Sequence, residues 1–149
     1  MRRVLAGLVV LALAAGCGGG GGLSKEEYRT QADAICARYS DALEKVQDEI
    51  VRAESPEEQT KAIDRGVATV KKGIAELRDL DAPDDLDEDV DRWLDLNDEN
   101  VENLEDLRDA VKEGDAEQAQ EAAERGQETE RKSDEVAREI GLDDCASDE

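Results

Sequence analysis

Apolar residues recur at steps of three and four along almost the whole chain after Leu23, and this spacing restricts the fold more than any other feature. A residue three or four positions further on returns to the same face of an α-helix, so each such run predicts an amphipathic helix. No stretch alternates with the period of two that a half-buried strand requires. Only two prolines, Pro56 and Pro83, interrupt the pattern. The sequence therefore predicts an all-α fold.

Four amphipathic segments follow one another, and most have their own start or stop signals. Ser24, Ser55 and Asp115 are suited to cap three helix N-termini, and Pro83 precedes the acidic start of the third segment. Gly141 is suited to end the fourth helix in the left-handed conformation, with the next residue folding back onto the last turn. The residues expected to face inward are Tyr28, Ala32, Ile35, Tyr39, Ala42, Leu43, Val46, Ile50 and Ala53; Ile63, Val67, Val70, Ile74 and Leu77; Leu86, Val90, Trp93, Asn97, Val101, Leu104 and Val111; and Ala119, Ala122, Ala123, Gly126, Thr129, Ser133, Val136, Ala137 and Ile140.

The connections between these segments are short, which favours antiparallel neighbours and predicts an up-down-up-down four-helix bundle. Charge adds a preference for which helices are adjacent. Residues 59–78 carry a net charge of +3, whereas residues 84–113 carry −11, so the second helix is expected to lie well beside the third. Each exposed ion pair adds less than about 1 kcal/mol, and unrelated solvated faces are the alternative interpretation.

The first sixteen residues have the three-part organisation of a secretory signal peptide. Positive charge at Arg2 and Arg3 precedes the apolar run Val4–Ala15, and Gly16 follows this run. The apolar run is short for a helix that spans a bilayer. A buried core helix or a retained anchor helix is the alternative interpretation.

The residues Ala14-Ala15-Gly16-Cys17 resemble the lipobox of bacterial lipoproteins. That resemblance implies that the Cys17 thiol carries a diacylglyceryl group and that the chain is cut just before it. Gly18–Gly22 then form a flexible tether. The expected organisation is a signal peptide over residues 1–16, a lipidated cysteine with its glycine-rich tether over 17–23, and a helical domain over 24–149.

The resemblance also implies a location at the extracytoplasmic face of the cell membrane, held by the N-terminal lipid. We expect an unidentified envelope protein as partner. Two or more acyl chains anchor a protein stably. Loss of Arg2 and Arg3 would take the formal net charge from −22 to −24. Such a surface repels phosphates, so we expect no binding to nucleic acid and no electrostatic attraction to anionic headgroups.

The chain contains three cysteines, Cys17, Cys36 and Cys145. If Cys17 carries lipid, an even pair remains in an exported protein, which favours a Cys36–Cys145 disulfide. A chain reversal at Gly141 would let Cys145 reach back to the first helix. Two free thiols are the alternative. A zinc site is not expected, because the sequence has no histidine and two cysteines supply half of a tetrahedral ligand set.

No motif points to catalysis, a cofactor or a metal. Histidine, the commonest general base, is absent from the sequence. The acidic run Asp79–Asp91 is the strongest candidate for a ligand site, but it lacks the spacing and central glycine of a calcium loop. Trp93 is expected in the core. Asn97 occupies a core-like position that Asn100 can share, either fixing helix register or remaining partly exposed.

Further stretches extend the resemblance over the chain. The lipobox, the early Cys36, "DRWLDL" at Asp91–Leu96 and "AREIGLDDC" at Ala137–Cys145 together resemble small helical lipoproteins of high-GC actinobacteria. This resemblance implies an envelope location and a helical fold, and it brings no catalytic motif. We expect a non-catalytic envelope lipoprotein with a protein-interaction or accessory role. The alternative is a lipoprotein that binds a small ligand or a cation at the membrane surface.

Overall fold

The computed structural model describes residues 22–146, which form four α-helices. The predicted signal peptide, Cys17 and residues 18–21 of the tether lie outside the described residues. The helices, joined by short connections, are α1 (Lys25–Arg52), α2 (Pro56–Arg78), α3 (Asp87–Glu113) and α4 (Ala116–Ile140). The all-α four-helix prediction is confirmed. In the described part of the chain, no helix is long and apolar enough to cross a membrane.

Three helices begin at the predicted capping residues. The Ser24 hydroxyl accepts a hydrogen bond from the Glu27 N–H, and the Glu27 carboxylate accepts one from the Ser24 N–H. The side chains of Ser55 and Asp115 each accept a hydrogen bond from a backbone N–H three residues on. The helix α3 has no side-chain cap and begins after a turn at Pro83. Local sequence therefore sets where three of the helices start.

The helix α4 ends as the sequence predicts. Gly141 has a φ of 85°, and the Leu142 N–H donates to the Ala137 carbonyl oxygen at 2.8 Å. This is the pattern of a left-handed helix stop. Leu142 is completely buried. The chain therefore turns back into the bundle directly after α4.

Neighbouring helices pack closely in sequential pairs, α1 with α2, α2 with α3, and α3 with α4, whereas α1 and α4 scarcely approach each other. Ion pairs link α2 to α3: the Lys71 Nζ lies 2.7 Å from a Glu105 oxygen, and Arg78 pairs with Asp98. The expected adjacency of the basic α2 and the acidic α3 is confirmed.

Several of the most completely buried side chains lie near the start of α1 and the end of α4. Trp93 is only 2% exposed, and Tyr28, Ile140 and Leu142 are completely buried. Along α1 only Tyr28, Ala32 and Ile35 are buried, and the predicted stripe from Tyr39 onwards is half-buried. The reason is that the second half of α1 packs on α2 and receives no cover from α4.

Candidate functional site

The segment after α4 is tied to the first half of α1. Cys36 and Cys145 form a disulfide with their Cα atoms 5.1 Å apart, so the predicted pairing is confirmed. The Arg29 Nε donates to the Ile140 carbonyl oxygen at 2.6 Å. The Asp144 N–H donates to an Asp33 oxygen at 3.1 Å, and burial raises the pKa of that carboxyl. These links close one end of the space between α1 and α4.

Beyond these links, the second half of α1 and the middle of α4 are separated by a cavity of about 530 Å³ that opens to solvent. We call it the α1–α4 groove. The helices α2 and α3 supply further lining residues. Its volume lies within the range of ligand-binding clefts. The apolar part of its lining consists of Leu43, Val46, Ile50, Ile63, Val70, Leu104 and Leu107.

The charged residues that line the groove are all acidic. Glu44 belongs to α1, Glu130 and Asp134 belong to α4, and Asp144 follows α4; no basic residue is among the described lining residues. In the described part of the chain, the carboxylates of Glu44, Asp134 and Asp144 form no ion pair. The groove therefore combines an apolar lining with three carboxylates, those of Glu44, Asp134 and Asp144, that form no ion pair within the described residues.

A smaller chamber of about 130 Å³ continues the groove toward the disulfide and shares Leu43 and Asn97 with it. Trp93 lines this chamber, and within residues 22–146 its indole Nε1 has no hydrogen-bond partner. The Asn97 Nδ2 donates to the Ser133 hydroxyl of α4 at 3.0 Å and to the Trp93 carbonyl at 2.8 Å. Trp93 is a core residue as predicted, and Asn97 is half-buried between α3 and α4.

A row of polar contacts between α3 and α4, the α3–α4 polar seam, extends away from the chamber. Its most buried asparagine is Asn103, which is 7% exposed and was not predicted from the sequence. The Asn103 amide donates to the Thr129 hydroxyl at 3.3 Å and accepts from the Arg125 Nε at 3.2 Å. The inward position of Asn103 could have been predicted from the three-residue spacing of Asn97, Asn100 and Asn103. This spacing places all three on one side of α3.

The acidic run Asp79–Asp91 includes the connection between α2 and α3. Lys25 lies 2.6 Å from Asp85, and this hydrogen-bonded contact lowers the pKa of the aspartate. The Leu23 N–H donates to the Asp81 carbonyl at 3.1 Å, so the chain entering α1 rests on this connection. Within the described residues, no group of three or more histidine, cysteine or acidic side chains is arranged to hold a metal ion.

The α1–α4 groove offers binding chemistry: an apolar lining, carboxylates, and the amide and hydroxyl groups of Asn97 and Ser133. Comparison of the chain with protein-family models, with curated proteins and with solved structures finds no significant match. A functional assignment therefore rests on the residues of the groove and on the N-terminal sequence.

Proposed function

We propose that this protein is a lipid-anchored protein of the outer face of the cell membrane whose helical domain binds another envelope protein and performs no catalysis. The observation that carries the binding role is the α1–α4 groove. An apolar groove open to solvent suits a contact with another protein. The groove, at about 530 Å³, has the volume of a small-ligand site, but it is open to solvent rather than enclosed. This open form favours a protein partner over an enclosed small ligand.

The anchoring part of the proposal rests on the lipobox-like residues before Cys17 and on the glycines after it. Leu23 contacts the α2–α3 connection, at the same end of the bundle as Arg29 and Ile140. An acyl group on Cys17 would therefore hold this end near the membrane, within the tether's reach of roughly 10–15 Å. From its first residue, Lys25, α1 rises about 38 Å to Ile50. The groove extends toward Ile50, so a partner could approach it at the end of the bundle away from the membrane.

Intact-mass measurement of the exported protein tests the anchor. We expect the wild-type chain to begin at Cys17 and to carry acyl mass, and a Cys17→Ser variant to be unlipidated and uncleaved. Cys36→Ser is the matched control, because it removes a different thiol and should leave the acyl mass in place. A mature wild-type chain that starts elsewhere and carries no acyl group would contradict the anchoring proposal.

Site-directed photocrosslinking in the native membrane tests the binding role. A photoreactive amino acid is placed at Gln47, an exposed residue that lines the groove, or at Ala75, which is exposed on α2 and does not line it. We expect a discrete protein adduct from Gln47 and none from Ala75. Adding Leu43→Arg to the Gln47 probe should remove the adduct by blocking the groove. Equal adducts from both positions, or none from Gln47, would contradict the proposal.

A further inference from the structure

We propose that the α1–α4 groove binds a basic amphipathic helix of its partner protein. This inference rests on the proposed function, since it names the chemistry of the segment that the groove would hold. Three observations carry it: the spacing of the apolar lining residues, the distribution of the carboxylates, and the charge of the whole chain.

The apolar lining has the dimensions of a short helix. Leu43, Val46 and Ile50 follow one another along α1 at steps of three and four, and Leu104 and Leu107 lie on α3. The lining part of α1, from Ser40 to Ile50, rises about 15 Å, which is the length of roughly ten helical residues. A helix that places apolar residues at i, i+3, i+4 and i+7 fills such a groove. The half-buried side chains of α1 would then gain the cover that α4 does not provide.

The carboxylates lie on both sides of this apolar lining. Glu44 is on the α1 side, and Asp134 is on the α4 side with Asp144 near the disulfide. Two neighbouring carboxylates of α1 outside the groove are compensated, since Glu49 pairs with Arg65 and Asp48 with Arg52. A helix with lysine or arginine on both flanks of its apolar stripe can pair with both sides. An amphiphile with a single cationic head can pair with only one of them.

The total charge argues against two other occupants. A second copy of the chain would bring another acidic surface, with a formal net charge of −24 after loss of Arg2 and Arg3, against the acidic groove. Anionic lipid headgroups would be repelled in the same way. A basic segment of a different protein is attracted both by the groove and by the chain as a whole.

The test uses a synthetic 14-residue helical peptide with leucine at i, i+3, i+4 and i+7 and lysine on both flanks. Fluorescence anisotropy measures its binding to the purified protein at 0.15 M salt, where long-range attraction is screened. Two matched peptides serve as controls. One replaces the lysines by glutamates, and the other replaces the leucines by serines while keeping the lysines. We expect each control to bind at least tenfold more weakly.

Two charge-matched triple variants separate groove binding from general attraction to an acidic protein. The groove variant combines Glu44→Gln, Asp134→Asn and Asp144→Asn. The control variant removes the same charge at three exposed positions outside the groove, namely Glu102→Gln, Glu113→Gln and Glu117→Gln. We expect at least a tenfold loss of peptide affinity in the groove variant and less than a twofold loss in the control. Circular dichroism checks that both variants are folded.

Equal losses in the two triple variants would overturn the inference, because the attraction would then be non-specific. The inference would also be overturned if decylammonium displaced the peptide at a concentration equal to the peptide's own Kd. That result would favour an amphiphile with a single cationic head. If the lysine peptide does not bind but the Gln47 probe still captures a partner, the basic helix is wrong and the proposed function stands. If both experiments fail, both proposals are wrong.

Discussion

Arg29 donates a hydrogen bond from Nε to the carbonyl oxygen of Ile140 at 2.6 Å, joining the start of α1 to the last residue of α4. The guanidinium satisfies a carbonyl that a helix C-terminus leaves unpaired, and its charge complements the helix dipole there. Gly141 lies directly against the Arg29 guanidinium: a Cβ on this glycine would be only 2.9 Å from the Arg29 Nε. With the Cys36–Cys145 disulfide, this contact holds together two helices that scarcely approach elsewhere.

Replacing Gly141 by alanine should destabilise the protein more than the same change at Gly114. Both glycines have a positive φ, 85° and 73°, but a Cβ on Gly114 meets no atom within 4 Å. Gly114→Ala should therefore lower the free energy of unfolding by only about 1 kcal/mol, the cost of placing an alanine in the left-handed conformation. Gly141→Ala should cost about 2–3 kcal/mol, because the new Cβ also displaces the Arg29 hydrogen bond. Urea denaturation measures both variants.

A double-mutant cycle isolates the contribution of Arg29. In an Arg29→Ala background, Gly141→Ala should cost the same as Gly114→Ala, about 1 kcal/mol. If Gly141→Ala keeps its full effect without Arg29, the close approach between these two residues does not explain the difference.

Cys36→Ser should lower the free energy of unfolding by about 2–4 kcal/mol, since the disulfide spans 109 residues of sequence and restricts the unfolded chain. Amide hydrogen exchange should rise most between Val136 and Leu142 and in the first turns of α1, because the disulfide and Arg29 link these two segments to each other. Thiol titration of the native, unreduced protein gives a direct check. Two free thiols in the wild-type chain would contradict the disulfide.

Gly126→Ala should stabilise the protein by up to about 1 kcal/mol, because glycine in the middle of a helix is unfavourable relative to alanine. A Cβ at Gly126 would meet Asn100 and Asn103 at ordinary van der Waals distances of 3.6 and 3.8 Å. Gly73→Ala is the matched comparison. Its Cβ would lie 3.2 Å from the Tyr39 ring, so the gain in helix propensity should be lost to crowding. Thermal unfolding of the two variants should place Gly126→Ala above Gly73→Ala.

Tyr28→Phe should leave the free energy of unfolding at pH 7 unchanged or increase it. The same variant should lose less stability than the wild type at alkaline pH. Burial raises the pKa of Tyr28 to about 12, with the charge of Asp91 adding to the shift. The hydroxyl has no hydrogen-bond partner in the described part of the chain, so its removal leaves no polar group unsatisfied. Between pH 10 and 12 the unfolded chain loses this proton while the folded chain keeps it. Stability therefore falls as pH rises, by at most about 1.4 kcal/mol per pH unit.

The titration of Tyr28 can be observed directly. The sequence has only two tyrosines, so a Tyr39→Phe variant carries Tyr28 alone. Its tyrosinate absorbance should appear near pH 12 in the folded protein and near pH 10 in denaturant. Ionisation of the folded variant near pH 10 would contradict the effect of burial. The same variant also removes the second alkaline contribution, since the hydrogen bond to Glu76 raises the pKa of Tyr39.

The positions of the helices and of most helix ends were predictable from the amino-acid sequence alone. Ser24, Ser55 and Asp115 cap the helices that they were expected to cap, and Gly141 ends α4. These features depend on contacts within about five residues, so local sequence is sufficient to specify them. Apolar spacing likewise placed Trp93 in the core.

The pairing of Cys36 with Cys145 was also predictable, although the residues are far apart in sequence. Antiparallel helices of known rise fix roughly where each residue lies along the bundle axis. A chain reversal at Gly141 was the only further element needed, and it is present. Long-range contacts can therefore be predicted where regular geometry and a small number of cysteines leave few alternatives.

The groove and the identity of the most buried asparagine depended on how the helices pack against one another. Periodicity shows which face of a helix is apolar, but not how far apart two such faces lie. The small residues of α4 bring it close to α3, leaving Leu43, Val46 and Ile50 of α1 half-buried. Asn103 rather than Asn97 became the most buried asparagine of the α3–α4 polar seam, because Arg125 and Thr129 satisfy its amide. Both outcomes depend on distances between helices, which are set by packing over the whole bundle.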